Sequence, residues 1–176
     1  MMTIIQPSKG IHDAIGAIGR IKKEHNNIKL IICGGVEDKQ YKKQLDELVN
    51  KLGLAKKVSF TGFIENPIEM YKMADAVLVC SRSEAWGRVA AESMLFEKPV
   101  IGFNAGGTRE IIKHNVNGLL YSNIDELVSC MKTVVLNGEQ IRNLVNNAKK
   151  YALENFSCEE YTNKVLKIIS KVNNEN

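Results

Sequence analysis

The chain has 176 residues, of which 44% are hydrophobic and 25% are charged, and its formal net charge is +4. This size and composition are typical of one soluble globular domain with a full core. The positive charge is too evenly spread to predict a nucleic-acid partner, and no segment reaches the roughly 18 apolar residues that a membrane span needs. The amino terminus also lacks the basic segment and the cleavage site of a signal peptide.

The four cysteines have no spacing that is typical of a metal site. They are Cys33, Cys80, Cys130 and Cys158, and two of them end apolar runs, where small buried thiols are common. We therefore expect reduced thiols in a cytoplasmic protein.

The first predicted elements are a short strand, a loop and a helix. Ile4-Ile5 predicts the end of a first, truncated strand, and residues 6–10 form the loop after it. An apolar stripe with helical spacing then predicts the first helix. Its members are Ile11, Ala14, Ile15, Ile18 and Ile21. Lys9 is therefore expected at the carboxyl end of the first strand, directly before a helix amino terminus.

A second strand is predicted at 28–33, and it ends in Gly34-Gly35. A pair of glycines is typical of a tight turn or of a close approach to a ligand or another backbone. Two roles stay open for this pair, namely contact with a nucleobase or a turn of the chain alone. A second helix is predicted at 41–52, and a third strand at 58–61.

Asn66-Pro67 predicts the start of the next helix, with Asn66 as the N-cap and Pro67 as the first helical residue. Tyr71 and Ala74 are expected on the inner face of this helix. The apolar run 76–80 then predicts a buried parallel strand.

The stretch 81–92, with the sequence SRSEAWGRVAAE, is the most informative part of the chain. It predicts a loop that carries Glu84 and a helix that carries Glu92 about one turn in. The backbone N–H groups at 86–88 have no helical partners and lie at the positive end of the helix dipole, which is a common phosphate site. Carboxylates beside a phosphate site suit a sugar diphosphate, because they accept its hydroxyls strongly. The alternative is that both glutamates face water.

The remaining chain continues the alternation of strands and helices. Strands at 100–103 and 119–121 flank a glycine-rich loop at 104–108 and a short helix. From residue 125 the pattern is helical, with interruptions near 137–138 and 156–157. Ser157 and Glu160 predict a capping box for a last helix, which with the tail occupies 157–176 of the same domain.

Strands that alternate with helices predict an α/β fold, namely a single Rossmann-like, doubly wound parallel sheet of about six strands with helices on both faces. In the strand order 3-2-1-4-5-6, the first and fourth strands are neighbours where the winding reverses, and ligands bind outside their carboxyl ends. This topology by itself brings Lys9, Glu84 and Gly106-Gly107 to one crevice.

An ordered series of motifs follows the fourth strand. It consists of E-A-W-G-x4-E from Glu84 to Glu92, then K-P-V-I-G at 98–102, then G-G-T-R-E at 106–110. This series resembles the donor-binding half of the group 1 (family 4) glycosyltransferases, which have the GT-B fold. With the Ser-Lys-Gly segment at 8–10, the resemblance covers most of the chain. Residues 85–87 stand where the family usually has Gly-Phe-Gly.

The resemblance implies a role for each matching residue. Glu92 would bind the ribose hydroxyls of a nucleotide, Glu84 the hydroxyls of the transferred sugar, and Lys9 the diphosphate. Glu84 and Lys9 are the candidate catalytic residues. The other candidate donor-binding residues are Ala85, Trp86, Gly87, Arg88, Gly106, Gly107, Thr108, Gly34 and Gly35. Trp86 either stacks on the ligand or wedges against a neighbouring helix.

The resemblance also implies the reaction, which is transfer of a sugar from a nucleotide-diphosphate sugar to an acceptor with the anomeric configuration retained. The nucleotide sugar is a substrate, and neither a cofactor nor a metal ion is expected. The sequence agrees in having no Asp-x-Asp motif. Ile4 stands where the family often has a phosphate-binding Arg, and Arg82 and Arg88 are the candidates to replace it.

A GT-B enzyme has two Rossmann-like domains, and residues 1–176 are expected to form only the C-terminal one. The missing N-terminal acceptor domain of the same protein is then a partner of this chain, which is expected to be inactive by itself. The family implies a cytoplasmic enzyme of surface-polysaccharide or glycoconjugate synthesis, which in full length can associate peripherally with the inner face of the membrane. The nucleobase, for example uridine or guanosine, stays open.

Two other classes of function stay open beside glycosyl transfer. One is an enzyme similar to the sugar-nucleotide epimerases, which would need more carboxylates and histidines around the sugar than this sequence brings together. The other is a non-catalytic nucleotide-binding module. A dinucleotide-binding fold and a phosphate-loop NTPase are disfavoured, because residues 6–10 contain neither Gly-x-Gly-x-x-Gly nor Gly-x4-Gly-Lys-Ser/Thr.

Overall fold

The structure is a computed structural model that describes residues 1–156, and it shows an α/β fold in which strands and helices alternate. The strands are β1 (Leu30–Cys33), β2 (Val58–Gly62), β3 (Val77–Val79), β4 (Val100–Phe103) and β5 (Leu119–Tyr121). The helices are α1 (Ile11–Ile21), α2 (Lys39–Lys51), α3 (Ile68–Met73), α4 (Arg88–Leu95), α5 (Gly106–Ile111), α6 (Ile124–Leu136) and α7 (Gly138–Phe156), and a 3₁₀ turn covers Pro7–Lys9. The alternation predicted from the sequence is confirmed.

The strands pair in parallel throughout the described residues, as β1-β2 and as β3-β4-β5. The amino-terminal segment runs beside β1 through two isolated bridges, Met2 with Cys33 and Ile5 with Val36. The loop after the first segment contacts the segment after β3, because Arg82 N donates to Ser8 O at 2.9 Å. The first segment therefore lies between β1 and the end of β3, as in the predicted doubly wound sheet.

The sheet has fewer strands than the predicted six, because the first segment is not a regular strand. Thr3 N donates to Cys33 O at 2.8 Å and Ile5 N donates to Gly35 O at 2.9 Å. A regular parallel strand would have a further hydrogen bond between these two, from the N–H of Gly35, but that N–H donates to no described residue. The result is five strands in two sheets with a bridged segment beside β1.

Two hydrophobic clusters form the core. In the larger cluster, the predicted apolar stripe of α1 is fully buried against the strands and against α2 and α6. In the smaller cluster, Ala90 and Met94 of α4 pack with Ala148 and Ala152 of α7 over β3 and β4. The apolar spacing that predicted these helices is therefore the spacing of their buried faces.

Most element boundaries agree with the prediction to within two residues. The strand predicted at 28–33 begins at Leu30, and α3 begins at Ile68 rather than Pro67. Asn66 still caps this helix, because its side-chain oxygen accepts from the backbone N of Ile68 at 3.1 Å. The break at 137 between α6 and α7 is confirmed, whereas the capping box at Ser157 lies outside the described residues.

A cleft of about 880 Å³ lies at the amino ends of β1 and β3. Its lining includes Leu30, Ile31, Val77, Leu78 and Met131. The motif residues described below do not line it, so this cleft and the predicted crevice are at opposite ends of the strands. None of the helices within residues 1–156 has the length and apolarity needed to cross a membrane.

Candidate functional site

Three loops meet at the carboxyl ends of the strands. The first is the 3₁₀ turn before α1, which ends at Gly10 with φ 60°. A Cβ at Gly10 would lie 2.2 Å from the carbonyl oxygen of Cys80, so this position excludes a side chain. Arg82 N donates to Ser8 O at 2.9 Å. The loop before α1 is therefore joined directly to the loop that follows β3.

An ion pair lies where these two loops touch. Lys9 Nζ is 3.2 Å from Glu84 Oε2 and 3.4 Å from Ser81 Oγ. The two charged side chains are only 17% and 21% exposed, so water screens their attraction less than it screens a surface pair. Because a lysine carries three donor hydrogens, Lys9 keeps capacity for another acceptor.

The glycine-rich loop before α5 is the third loop, and it packs on the backbone of Glu84 and Ala85. Gly107 N donates to Glu84 O at 2.6 Å. A Cβ at Gly106 would lie 2.7 Å from Glu84 O, and one at Gly107 would lie 2.7 Å from Ala85 O. The structure therefore brings Lys9, Glu84 and Gly106-Gly107 together, as the topology predicted.

The amino terminus of α4 opens onto the same place. Gly87 is its N-cap, with φ 61° and with no side-chain capping bond. The backbone N–H groups of residues 86–88 donate to no described residue, so they are available to an anion. Trp86 is 76% exposed, which is incompatible with a ring wedged against a neighbouring helix. Arg88 is exposed at the first position of α4, beside these N–H groups.

Glu92 lies on the next turn of α4, partly exposed, and is held by a tyrosine. The hydroxyl of Tyr71 donates to Glu92 Oε2 at 2.6 Å. Burial raises the pKa of Tyr71 above its ordinary range, and the hydrogen bond to Glu92 raises it further. The sequence placed Tyr71 on the inner face of α3, but nothing in the local pattern indicated this contact, because the two residues lie on different helices.

Gly34 and Gly35, two of the predicted donor-binding residues, contact other segments of the chain. A Cβ at Gly34 would lie 1.6 Å from Thr3 O, and Gly34 N donates to Gly62 O at 2.8 Å. Gly35 O accepts from Ile5 N. No described hydrogen bond joins Gly34 or Gly35 to the loop at 81–87. The close backbone of Thr3 excludes a side chain at Gly34, whereas a Cβ at Gly35 would meet no atom within 4 Å.

Thr108 is fully buried, and its methyl group packs beside Gly102. Its Oγ1 has no hydrogen-bond partner among the described residues. Its side chain therefore lies in the interior, behind the surface that Glu84 and Lys9 share.

The two arginines proposed as phosphate cations differ in their surroundings. Arg82 is paired with Asp13 at 2.8 Å, and its guanidinium lies 4.8 Å from the ring centre of Phe103. Within residues 1–156, Arg88 has no ion-pair or hydrogen-bond partner for its side chain, so it is the better placed of the two. The same residues contain no group of three or more His, Cys, Asp or Glu side chains arranged to hold a metal ion.

Comparison with known proteins gives the family context of this geometry. Residues 1–151 match the family model described as glycosyl transferases group 1. The chain is 35% identical over 164 residues to an uncharacterized glycosyltransferase of Methanocaldococcus jannaschii, with 91% of this chain and 41% of that protein covered. It is also 35% identical over 162 residues to a Campylobacter jejuni enzyme, with 90% and 44% covered. That enzyme is named GalNAc-alpha-(1->4)-GalNAc-alpha-(1->3)-diNAcBac-PP-undecaprenol alpha-1,4-N-acetyl-D-galactosaminyltransferase.

Two solved structures share the fold. Anabaena HepE in complex with UDP has a TM-score of 0.90 at 27% identity, and the match covers 97% of this chain and 47% of HepE. The C-terminal domain of a group 1 glycosyl transferase, LpcC of Francisella tularensis, has a TM-score of 0.81 at 24% identity, over 89% of this chain and 85% of that domain. The chain thus spans less than half the length of the two relatives and of HepE. It matches most of the length of the LpcC domain, which was solved by itself.

Proposed function

This chain belongs to the group 1 glycosyltransferases, and on that premise we propose that it binds the nucleotide-diphosphate sugar from which a sugar is transferred to an acceptor. The observation that carries the proposal is the meeting of Lys9, Glu84 and the open amino terminus of α4 at the carboxyl ends of the strands. Glu92 lies one turn away on the same helix. A cation, free N–H groups and two carboxylates are what a sugar diphosphate requires from its site.

The diphosphate lies at the amino terminus of α4 in this proposal. The N–H groups of residues 86–88 and the helix dipole stabilise its charge, and Lys9 and Arg88 add positive charge from the side. The leaving group of the reaction is a nucleoside diphosphate, on which negative charge grows as the bond to the sugar breaks. Donors that are held in place before the reaction stabilise that charge without reorganisation.

The two carboxylates select the rest of the ligand. Glu84 accepts from hydroxyls of the transferred sugar, and Glu92 accepts from the ribose hydroxyls. Retention of the anomeric configuration and activity without a metal ion belong to the same proposal. They are supported by the motif resemblance and not by any contact within the described residues.

UDP-sugars are the first donors to test, because HepE structures hold UDP and UDP-glucose. Surface-polysaccharide or glycoconjugate synthesis is the setting we propose. It is supported by the Campylobacter relative, whose name specifies an undecaprenol-linked substrate. Peripheral membrane association of the full-length enzyme rests on the same support, and a cytoplasmic location is proposed from the motif resemblance. Transfer itself is proposed to need the acceptor-binding part of the enzyme, so that this chain binds the donor without turning it over.

The test is thermal unfolding of the 176-residue chain with uridine, guanosine, adenosine and thymidine diphosphates, in the presence of EDTA. A ligand that binds only the folded state adds about 2.7 kcal/mol at 100 times its Kd, which raises Tm by several degrees. We expect one diphosphate to raise Tm, and the rise to disappear in Lys9→Ala and Glu92→Ala. Glu47→Ala, an exposed glutamate on α2, is the matched control and should keep the full rise.

A weak ligand is tested by titration at millimolar concentration with NMR detection. Chemical shifts of residues 81–92 that stay unchanged with all four diphosphates would overturn the assignment of the site. Rises in Tm that are equal in the control and in Glu92→Ala would overturn the role of Glu92.

A further inference from the structure

Glu84 and Glu92 are separated by seven residues but are held by different kinds of partner. The partner of Glu84 is the cation of Lys9, at 3.2 Å. The partner of Glu92 is the neutral hydroxyl of Tyr71, at 2.6 Å, and no described residue forms an ion pair with Glu92. A neutral donor fixes a carboxylate without cancelling its charge, so Glu92 stays a strong acceptor for further hydroxyls.

The ring of Tyr71 is rigidly placed. The residue is 1% exposed, and its ring stacks on Phe96 with the centres 5.0 Å apart and the planes 5° apart. Phe96 is the C-cap of α4, the helix that carries Glu92. Tyr71 therefore contacts α4 twice, through its ring and through its hydroxyl, and its hydroxyl has little freedom to leave Glu92.

The hydrogen bond occupies part of one carboxylate oxygen of Glu92. A carboxylate has about four acceptor positions, so three remain for a ligand. A glutamate on a helix otherwise samples several rotamers, and ordering it on binding costs free energy. The contact with Tyr71 already orders the Glu92 side chain in the folded protein, so that a ligand does not have to order it on binding.

We propose that Tyr71 is a positioning residue that holds the Glu92 carboxylate ready for the vicinal 2′- and 3′-hydroxyls of a ribose. It thereby gives the site a preference for ribonucleoside over 2′-deoxyribonucleoside diphosphates. This inference rests on the proposed function, in which Glu92 contacts the ribose. A purely structural Tyr71 would stabilise α3 against α4 and would leave the choice of nucleotide unchanged.

The experiment measures Kd by calorimetry or NMR for base-matched pairs of ribo- and 2′-deoxyribonucleoside diphosphates of uridine, guanosine and adenosine. Wild-type chain is compared with Tyr71→Phe, Glu92→Gln and the double variant. Hydrogen bonds to charged groups support a ribose preference of about tenfold or more in the wild type. We expect Tyr71→Phe to lower this ratio several-fold, because it weakens binding of the ribonucleotide more than binding of the deoxyribonucleotide, which offers Glu92 only the 3′-hydroxyl.

Several readouts separate this inference from a structural role and from failure of the proposed function. Tyr151→Phe, which changes a partly buried tyrosine on α7, is the control and should keep the wild-type ratio. If Tyr71→Phe lowers both affinities equally, or changes only Tm, the positioning role is overturned. If Glu92→Gln abolishes the preference and Tyr71→Phe keeps it, only the inference about Tyr71 fails. If Glu92→Gln keeps the preference, or none of the nucleotides binds, the ribose-binding role of Glu92 fails and the inference falls with it.

Discussion

At the scale of single residues, the ion pair between Lys9 and Glu84 leads us to expect that removing the charge of Glu84 changes the affinities for two ligands in opposite directions. In the free protein Glu84 neutralises the cation that the diphosphate needs. We predict that Glu84→Gln binds a nucleoside diphosphate more tightly, because it removes a negative charge beside the phosphates and releases Lys9. An effect of about 1 kcal/mol corresponds to about fivefold in Kd.

The same variant should bind the matching nucleotide sugar less tightly, because the amide is a weaker acceptor for sugar hydroxyls than the carboxylate. Competition binding of both ligands to the wild-type chain and to Glu84→Gln measures the two effects together. Lys9→Ala is the companion variant and should weaken both ligands. Equal changes for the diphosphate and the sugar diphosphate in Glu84→Gln would contradict a contact between Glu84 and the sugar.

At the scale of elements, the loop before α5 packs on the loop before α4 because Gly106 and Gly107 have no side chains, and Gly107 is the position to test. A Cβ at Gly107 would lie 2.7 Å from Ala85 O and 3.0 Å from Glu84 O, both of which are backbone atoms that a rotamer change cannot move. Gly107→Ala must therefore shift the loop at 84–87. We predict a loss of about 1–3 kcal/mol in the free energy of unfolding and loss of diphosphate binding.

Gly138→Ala is the control for this prediction. Only the side chain of Arg142 comes near the added Cβ, at 3.8 Å, and Gly138 is the first residue of α7. Urea unfolding should show that this variant is as stable as the wild type or slightly more stable. If Gly107→Ala retains both its stability and its binding, the two loops are not coupled as described.

At the scale of the whole molecule, a buried thiol makes stability depend on pH. Burial raises the pKa of Cys80 from its ordinary 9.0 to about 12. Between these values the unfolded chain loses the proton and the folded chain keeps it. The contribution of Cys80 to stability is therefore complete below pH 9 and falls by about 1.4 kcal/mol per pH unit above it, until the folded thiol also ionises.

We predict that the free energy of unfolding falls less steeply above about pH 9 in Cys80→Ala than in the wild type. Urea unfolding at several values between about pH 8 and pH 10.5 measures both slopes. The buried amino terminus and the buried tyrosines titrate in both proteins and contribute to both slopes. Cys80→Ala also loses packing at every pH, and for this reason only the slope is diagnostic. Equal slopes would contradict the raised pKa.

The sequence by itself determined the alternation of elements and most of their bounds. Apolar spacing within α1 and the unbroken apolar runs of β3 and β4 are local patterns, and the buried faces follow from them. The winding order then placed Lys9 and Glu84 at the same crevice, because parallel strands have their carboxyl ends on one side. The spacing of Glu84 and Glu92 on a loop and its following helix was predictable for the same reason.

Only the tertiary structure decided which partner each of these groups has. Lys9 and Glu84 are 75 positions apart and Tyr71 and Glu92 are 21 apart, so their contacts depend on how separate elements pack. The same holds for Gly34, where the close backbone of Thr3, from another segment, excludes a side chain. Local patterns record which face of an element is apolar. They do not record which polar atoms from distant segments come within hydrogen-bond distance, because that is set by the packing of the assembled core.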